Sequence, residues 1–383
     1  MADSSPYFNE DHEIFRHSVR SFVEKEMAPH TDQWEREGIF PRELFTRVGE
    51  LGFLGVRHAV EYGGSGLDFL YTTILCEELV QCGSIGTAVN LLVQTELAPS
   101  VITALGTEEQ KRRYLPDAIT GSKIFALGIS EPSAGSDVAA LRTTARRDGE
   151  DYVIDGSKIF ITNGTRADFI SLAVRTGGEG AGGVSMLVFP TDTPGFSVGR
   201  KLEKMGNHAG DTAELFFDGC RVPRANLLGA EGSGFRAIMH LFQGERLVLS
   251  ALACGVMTQL YSLAYEYGSG RSIFGKPIID FQIWRHRLAD VDALIEASRQ
   301  LTYSAAHLLS KGERADREVS IAKLFTADAV KRVANEALQI HGGYGYMEDY
   351  LVCRLYRDVA AFTIGAGSSE VMREILAKQA AAR

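Results

Sequence analysis

The hydrophobic period of this chain changes twice, and those two changes restrict its fold more than any other feature. From residue 1 to about 120, apolar residues recur at helical spacing. Ile14, Phe15, Ser18, Val19, Phe22 and Val23 form one stripe, with Arg, Lys and Glu opposite. Leu44, Val48 and Leu51 form a second, with Gly52 as the expected C-cap. Thr107-Glu-Glu-Gln110 reads as a capping box that opens a further helix. From about 121 to 228 the pattern becomes that of short strands. The expected strands are Tyr152–Ile154, Lys158–Thr162, Phe169–Val174, Val184–Phe189 and Glu214–Phe217, with turns at Asp155-Gly156 and Asn163-Gly164. Helical spacing returns near 233–267, 281–311, 316–341 and 368–380. The two periods cannot serve the same element, because a helix buries one stripe and a strand alternates its faces. The expectation is an α+β chain in three parts. An N-terminal helical domain covers 1–120, a central antiparallel β-barrel or sandwich covers 121–228, and a C-terminal four-helix bundle covers 229–383.

Composition serves mainly to exclude. A net charge of −9 argues against nucleic acid or an anionic membrane as partner. The five cysteines include no C-x-x-C pair and no nearby His cluster. No metal site or disulfide framework is expected, and a reducing, cytoplasmic location fits. The acidic segment Met1–Asp11 lacks the basic or Arg-rich character of a targeting sequence. No apolar run reads as long enough to cross a bilayer, so stable membrane association is not expected. Gly178-Glu-Gly-Ala-Gly-Gly183 satisfies G-x-G-x-x-G, but the strand-like run Val184–Phe189 follows it where a dinucleotide fingerprint needs a helix. It reads as a hairpin loop.

One carboxylate breaks an apolar stripe. In Leu241-Phe-Gln-Gly-Glu-Arg-Leu-Val-Leu249, the residues three and four positions from Glu245 are Leu241, Phe242, Val248 and Leu249. A helix therefore aims this carboxylate at an oily face. Two readings stand. Glu245 is a base with a raised pKa, or it pairs with a buried cation such as Arg246 and holds helices together. The segment Gly128-Ile-Ser-Glu-Pro-Ser-Ala-Gly-Ser-Asp-Val-Ala-Ala140 is dense in hydroxyls and small residues. Such a loop donates to ring carbonyls or phosphates, or simply turns at the surface.

That segment resembles a signature of the acyl-CoA dehydrogenase flavoproteins, and further blocks follow in family order. They are Gly156-Ser-Lys-Ile-Phe-Ile-Thr-Asn-Gly164, Lys204-Met-Gly206 with Asp211-Thr212, and Arg221-Val-Pro-Arg-Ala-Asn-Leu-Leu-Gly229. Then come Arg271-Ser-Ile-Phe-Gly-Lys-Pro277 with Gln282, Gln339-Ile-His-Gly-Gly-Tyr-Gly345 and Ile364-Gly-Ala-Gly-Ser-Ser-Glu370. The resemblance implies FAD between the β domain and the bundle. Leu127, Ile129, Ser130 and Ser136 would line the flavin and its pyrophosphate, with Ser136 also near substrate. Phe160, where the family often has Trp, would pack on the ring, and Thr162 would bond near N5. Arg271, Phe274, Gln282, Gln339, Gly342 and Gly343 match FAD contacts, some of them across a subunit boundary. Ser368 and Glu370 complete the set. Family members are typically homotetramers that pass electrons to electron-transferring flavoprotein.

The resemblance also contains a departure. Many relatives carry the catalytic Glu in the segment matching 364–369, where this chain has Ala366. The isovaleryl-CoA and long-chain branch instead places the base on a bundle helix just before an Arg, as in Glu245-Arg246. The expected chemistry is α,β-dehydrogenation of an acyl-CoA to the trans-2-enoyl-CoA. Glu245 takes the α-proton, and the backbone N–H of Ala366 donates to the thioester carbonyl. Gln243, Arg246 and Gly367 join the substrate side. A branched, medium or long acyl chain is expected. An acyl-CoA oxidase, a flavin monooxygenase or a non-catalytic acyl-CoA-binding scaffold on the same fold are the competing readings.

Overall fold

The computed structural model describes residues 5–381. Residues 1–4 of the acidic N-terminal segment, and 382–383 of the last expected domain, lie outside the described residues.

Among the described residues seven α-helices come first: α1 Glu10–Phe22, α2 Thr31–Glu37, α3 Glu43–Glu50, α4 Phe69–Leu79, α5 Ile85–Leu92, α6 Ala98–Leu105 and α7 Glu108–Thr120. The capping box forms as expected. The Thr107 hydroxyl accepts from the Gln110 N–H at 3.2 Å, and the Gln110 side chain accepts from the Thr107 N–H at 2.9 Å. Together these satisfy two amides that α7 leaves free. At the end of α3, Leu51 caps the helix and Gly52 follows in the left-handed conformation. Two residues of the first stripe, Ile14 and Ser18, fall outside the buried arc. Ile14 is 60% exposed, because the buried arc of α1 runs through His12, Val19 and Phe22.

The middle of the chain is a sheet of β1 Phe125–Gly128, β2 Thr144–Asp148, β3 Asp151–Thr162, β4 Phe169–Arg175, β5 Val184–Pro190, β6 Phe196–Lys201, β7 Thr212–Pro223 and β8 Leu227–Leu228. Their order is β6-β7-β3-β2-β4-β5-β8, with β1 on β4. Pairing is antiparallel except for β1 with β4 and a single β2–β4 pair. Asp155-Gly156 does not turn the chain: β3 runs straight through it, and its register against β7 shifts between Ile154 and Gly156. The glycine marks close approach instead, since a Cβ there would stand 2.6 Å from Thr143 Oγ1. The G-x-G-x-x-G run lies in the loop joining β4 to β5.

Five α-helices follow among the described residues: α8 Gly234–Gly270, α9 Gln282–Ser310, α10 Asp316–His341, α11 Leu351–Asp358 and α12 Ser369–Ala381. A small hairpin, β9 Ser272–Ile273 with β10 Lys276–Pro277, separates α8 from α9. The long α8 places its residues in three apolar cores. Ile238 packs into the core under the sheet, Leu247 joins Leu70 and Val319, and Val248 joins the core shared by the N-terminal helices and the bundle. Glu245 thus sits where the three cores meet. The stretch 85–105 and α8 are long and apolar enough to cross a membrane, contrary to the expectation from sequence. Their most apolar windows are 72% and 67% buried inside the fold, as suits core helices.

Candidate active site

Glu245 projects from the first third of α8. It keeps some accessible surface, yet protein atoms crowd it closely. Among the described residues it has no hydrogen-bond or ion-pair partner, so the reading in which it pairs with Arg246 finds no such pair. Burial raises its pKa to about 7, against the opposing pull of Arg246 and Lys323. A carboxylate with that value exchanges a proton readily near neutrality, which suits a general base.

Cations and a strained turn surround it. Arg246 is buried, and its Nε has no hydrogen-bond partner among the described residues. Lys323 of α10 is 1% exposed and donates from Nζ to the Gly367 carbonyl. A Cβ on Gly367 would stand 3.6 Å from Arg246 Nε, so the turn lies against this guanidinium. Ala366 and Gly367 are both left-handed, with φ of 51° and 83°. That conformation costs an alanine roughly 1–2 kcal/mol, so its surroundings must impose it. Gln243 donates to Asp316, which Arg314 also binds. On the other flank, a Cβ on Gly244 would lie 3.5 Å from the Phe69 ring, and the Arg57 guanidinium lies 3.7 Å from that ring's centroid.

The hydroxyl-rich loop after β1 is fastened from beneath. Lys158 Nζ donates to Glu131 Oε1 at 2.8 Å and to the Ile129 carbonyl at 3.1 Å. Glu131 also accepts the amides of Arg142 and Thr143. Burial alone would raise the Glu131 pKa, but Lys158 and these donors outweigh it and hold it low. The Ile159 N–H bonds the Ser130 carbonyl at 3.0 Å. One buried pair therefore positions both the loop and the strand that carries Phe160 and Thr162. Along them Ile129 is buried, Leu127, Ser130 and Thr162 are half-buried, and Ser136 is exposed.

A second group gathers at the far end of the bundle. Phe274, at the tip of the β9–β10 hairpin, is 94% exposed and neighbours Phe281. Arg271 precedes the hairpin, and Gln282 begins α9. Gln339, Gly342 and Gly343 are exposed where α10 ends, and Tyr267 of α8 stacks on His341 beside them. No hydrogen bond, ion pair or ring contact among the described residues joins this group to Ser130, Phe160 or Thr162. Ser368 accepts the Val371 N–H at the start of α12. The neighbouring Glu370 carboxyl is held below its usual range by its own backbone amide and by Ser368.

Backbone strain singles out these positions. Among the described residues, five non-glycines have positive φ: Phe160, Asn163, Asn207, Phe274 and Ala366. Asparagine tolerates this conformation, whereas a bulky residue in it is a real outlier. Phe160 is also 67% exposed. An exposed phenylalanine on strained backbone, Phe160, beside a fastened loop of hydroxyls fits a flat apolar ring system with polar edges.

Sequence reasoning quoted Glu131 and Lys158 without giving them a role, and it missed Lys323. A signal existed for both lysines. Lys158 shares the inward side of β3, and Lys323 interrupts the buried stripe Val319, Ala322, Thr326 and Val330 of α10.

Three family descriptions match in register with this architecture: the acyl-CoA dehydrogenase N-terminal domain over residues 9–122, the middle domain over 126–220 and the C-terminal domain over 232–381. An acyl-CoA dehydrogenase of Bacillus subtilis is 39% identical over 366 residues, spanning 95% of this chain and 96% of that protein. The mitochondrial long-chain specific acyl-CoA dehydrogenase of Mus musculus is 36% identical, across 97% of this chain and 87% of that protein. The crystal structure of an acyl-CoA dehydrogenase from Geobacillus kaustophilus superposes with a TM-score of 0.95 at 43% identity, covering 98% of this chain and 99% of that one. The chain belongs to the acyl-CoA dehydrogenase family. Its members are flavoproteins, and membership supports FAD-dependent dehydrogenation of an acyl-CoA.

Proposed function

We propose that Glu245 is the base of this dehydrogenation. The observation that carries the reading is a carboxylate crowded by protein on α8, with no hydrogen-bond or ion-pair partner among the described residues; that burial raises its pKa to about 7. An α-hydrogen beside a thioester is weakly acidic, so the enolate must be stabilised as it forms. The Ala366 N–H, held on a left-handed turn, donates to the thioester carbonyl. Arg246, Gln243 and Gly367 border the same space. When bound, FAD supplies the acceptor for the β-hydrogen, which leaves as hydride and yields a trans-2-enoyl-CoA.

Leu127, Ile129, Ser130 and Ser136 hold the flavin edge and pyrophosphate, Phe160 covers the ring and Thr162 bonds near N5. Arg271, Phe274, Gln282, Gln339, Gly342 and Gly343 act on FAD across a subunit boundary in a homotetramer. The exposure of Phe274, whose ring meets only the edge of Phe281 among the described residues, supports this. Ser368 and Glu370 complete the cofactor set. Electron-transferring flavoprotein is the acceptor, and a branched, medium or long acyl chain is the substrate.

The test is anaerobic titration of the FAD-loaded protein with butyryl-, isovaleryl-, octanoyl- and palmitoyl-CoA. Flavin bleaching by at least one of them is expected, and bleaching by none would refute the reading. Slow reoxidation by oxygen with enoyl product bound is also expected, whereas rapid reoxidation would identify an oxidase.

The pH dependence follows from the base. Glu245 must be ionised to accept a proton, so kcat/KM should rise with pH through about 7 and then level off. A profile flat from pH 5.5 to 8.5 would exclude a base of this kind. A further variant tests whether the helix position 245 and the turn position 366 reach one carbon. Ala366→Glu in a Glu245→Gln background should restore measurable turnover, and a folded, flavin-loaded but inert double variant would count against a shared α-carbon.

A further inference from the structure

Lys323 comes from α10, far from the base in sequence, yet it ends beside both working parts of the site. Its ammonium donates to the Gly367 carbonyl across 44 residues of sequence. That carbonyl belongs to the second of two successive left-handed residues, the first being Ala366. A non-glycine residue keeps that conformation only when its surroundings fix it. Here one side of the turn is fastened by Lys323 and the other lies against Arg246, whose Nε is 3.6 Å from where a Gly367 Cβ would stand. A buried lysine on an apolar helical stripe is costly unless its charge is used.

We propose that Lys323 is a positioning residue for the dehydrogenation: it locks the Ala366-Gly367 turn so that the Ala366 N–H meets the thioester carbonyl, and its positive charge favours the ionised base. The inference rests on the proposed roles of Glu245 and Ala366. Several charged groups face this space. Glu245 and Arg246 come from α8, Lys323 with Asp316 and Asp328 from α10, and Glu370 from α12. Burial and the neighbouring Arg246 push the Lys323 pKa down to about 8, while Glu245, Asp328 and Glu370 pull it up. It therefore carries its proton over the range in which Glu245 loses its own.

The experiment uses FAD-loaded Lys323→Met, with Lys323→Gln as a second neutral variant in case methionine fails to load. The probe is 3-thiaoctanoyl-CoA, whose sulfur replaces the β-carbon. It can lose the α-proton but has no β-hydrogen to give. In the wild type, ionisation of the bound probe is followed by long-wavelength absorbance against pH. In either variant the ionised fraction at pH 7 should fall by about fivefold or more. The acid limb of octanoyl-CoA bleaching should move to higher pH by about half a unit or more, because a cation that favoured the carboxylate is gone. A purely packing role for Lys323 would lower the yield of folded protein without moving that limb. Unchanged probe ionisation and an unmoved limb in the loaded variants would overturn the proposal. A wild type that neither bleaches nor ionises the probe would instead overturn the reading on which it rests.

Discussion

Glu245→Gln should keep the fold and FAD yet slow anaerobic bleaching by acyl-CoA roughly a thousandfold or more, as expected when a general base is lost. The amide has nearly the shape of the carboxyl, so packing among Leu241, Phe242 and Val248 is preserved. Thermal stability should hold or rise slightly, because among the described residues the wild-type group makes no hydrogen bond or ion pair that would be lost. The sign follows from linkage. Burial raises the folded-state pKa of Glu245 to about 7, so the native state retains a proton that the unfolded chain releases from its ordinary value near 4.5 upward. Stability from this group is complete below that ordinary value and is lost as pH rises through about 7. Glutamine removes the dependence, so the variant should match the wild type at acid pH and exceed it above neutrality. A bleaching rate within tenfold of wild type would remove Glu245 from the chemistry.

Lys158→Met should have the largest effect on stability. Its side chain is 0% exposed and that of Glu131 is 3% exposed. Removing the lysine strands a buried carboxylate, which costs about 3–5 kcal/mol. The loss should reach the cofactor as well, because the same pair fastens the loop of Ser130 to the strand of Phe160. Denaturant unfolding measures the first effect, and flavin fluorescence released on dilution measures the second. The double variant Lys158→Met with Glu131→Gln should be more stable than Lys158→Met alone, since no charge is then stranded. Equal stabilities would show that the pair contributes no specific coupling.

Most of the architecture was legible because its signals are local. The capping box of α7, the glycine after α3 and the stripes of the long C-terminal helices each depend on neighbours a few residues away. The β region was read less completely. β1 is a short apolar run that pairs in parallel with β4 and shows no alternation. β6 is an exposed edge strand with little apolar pattern. Asp-Gly serves a turn and a bulge equally well, and only the proximity of Thr143 decides between them at Gly156. Within the site, Glu245 announced itself by breaking an apolar stripe. The left-handed backbones of Phe160, Phe274 and Ala366 have no such signature, because nothing in the residue type demands them. The partners of Lys158 and Lys323 lie 27 and 44 residues away, beyond the reach of periodicity.

The central claim is that Glu245 takes the α-proton, and deuterium exchange reads that step alone. Wild type and Glu245→Gln, both loaded with FAD, are incubated anaerobically in D₂O with 3-thiaoctanoyl-CoA, and the α-hydrogens are followed by proton NMR. Wild type should exchange them, and Glu245→Gln should leave them in place beyond the uncatalysed rate. Exchange by Glu245→Gln at the wild-type rate would contradict the account and require another base.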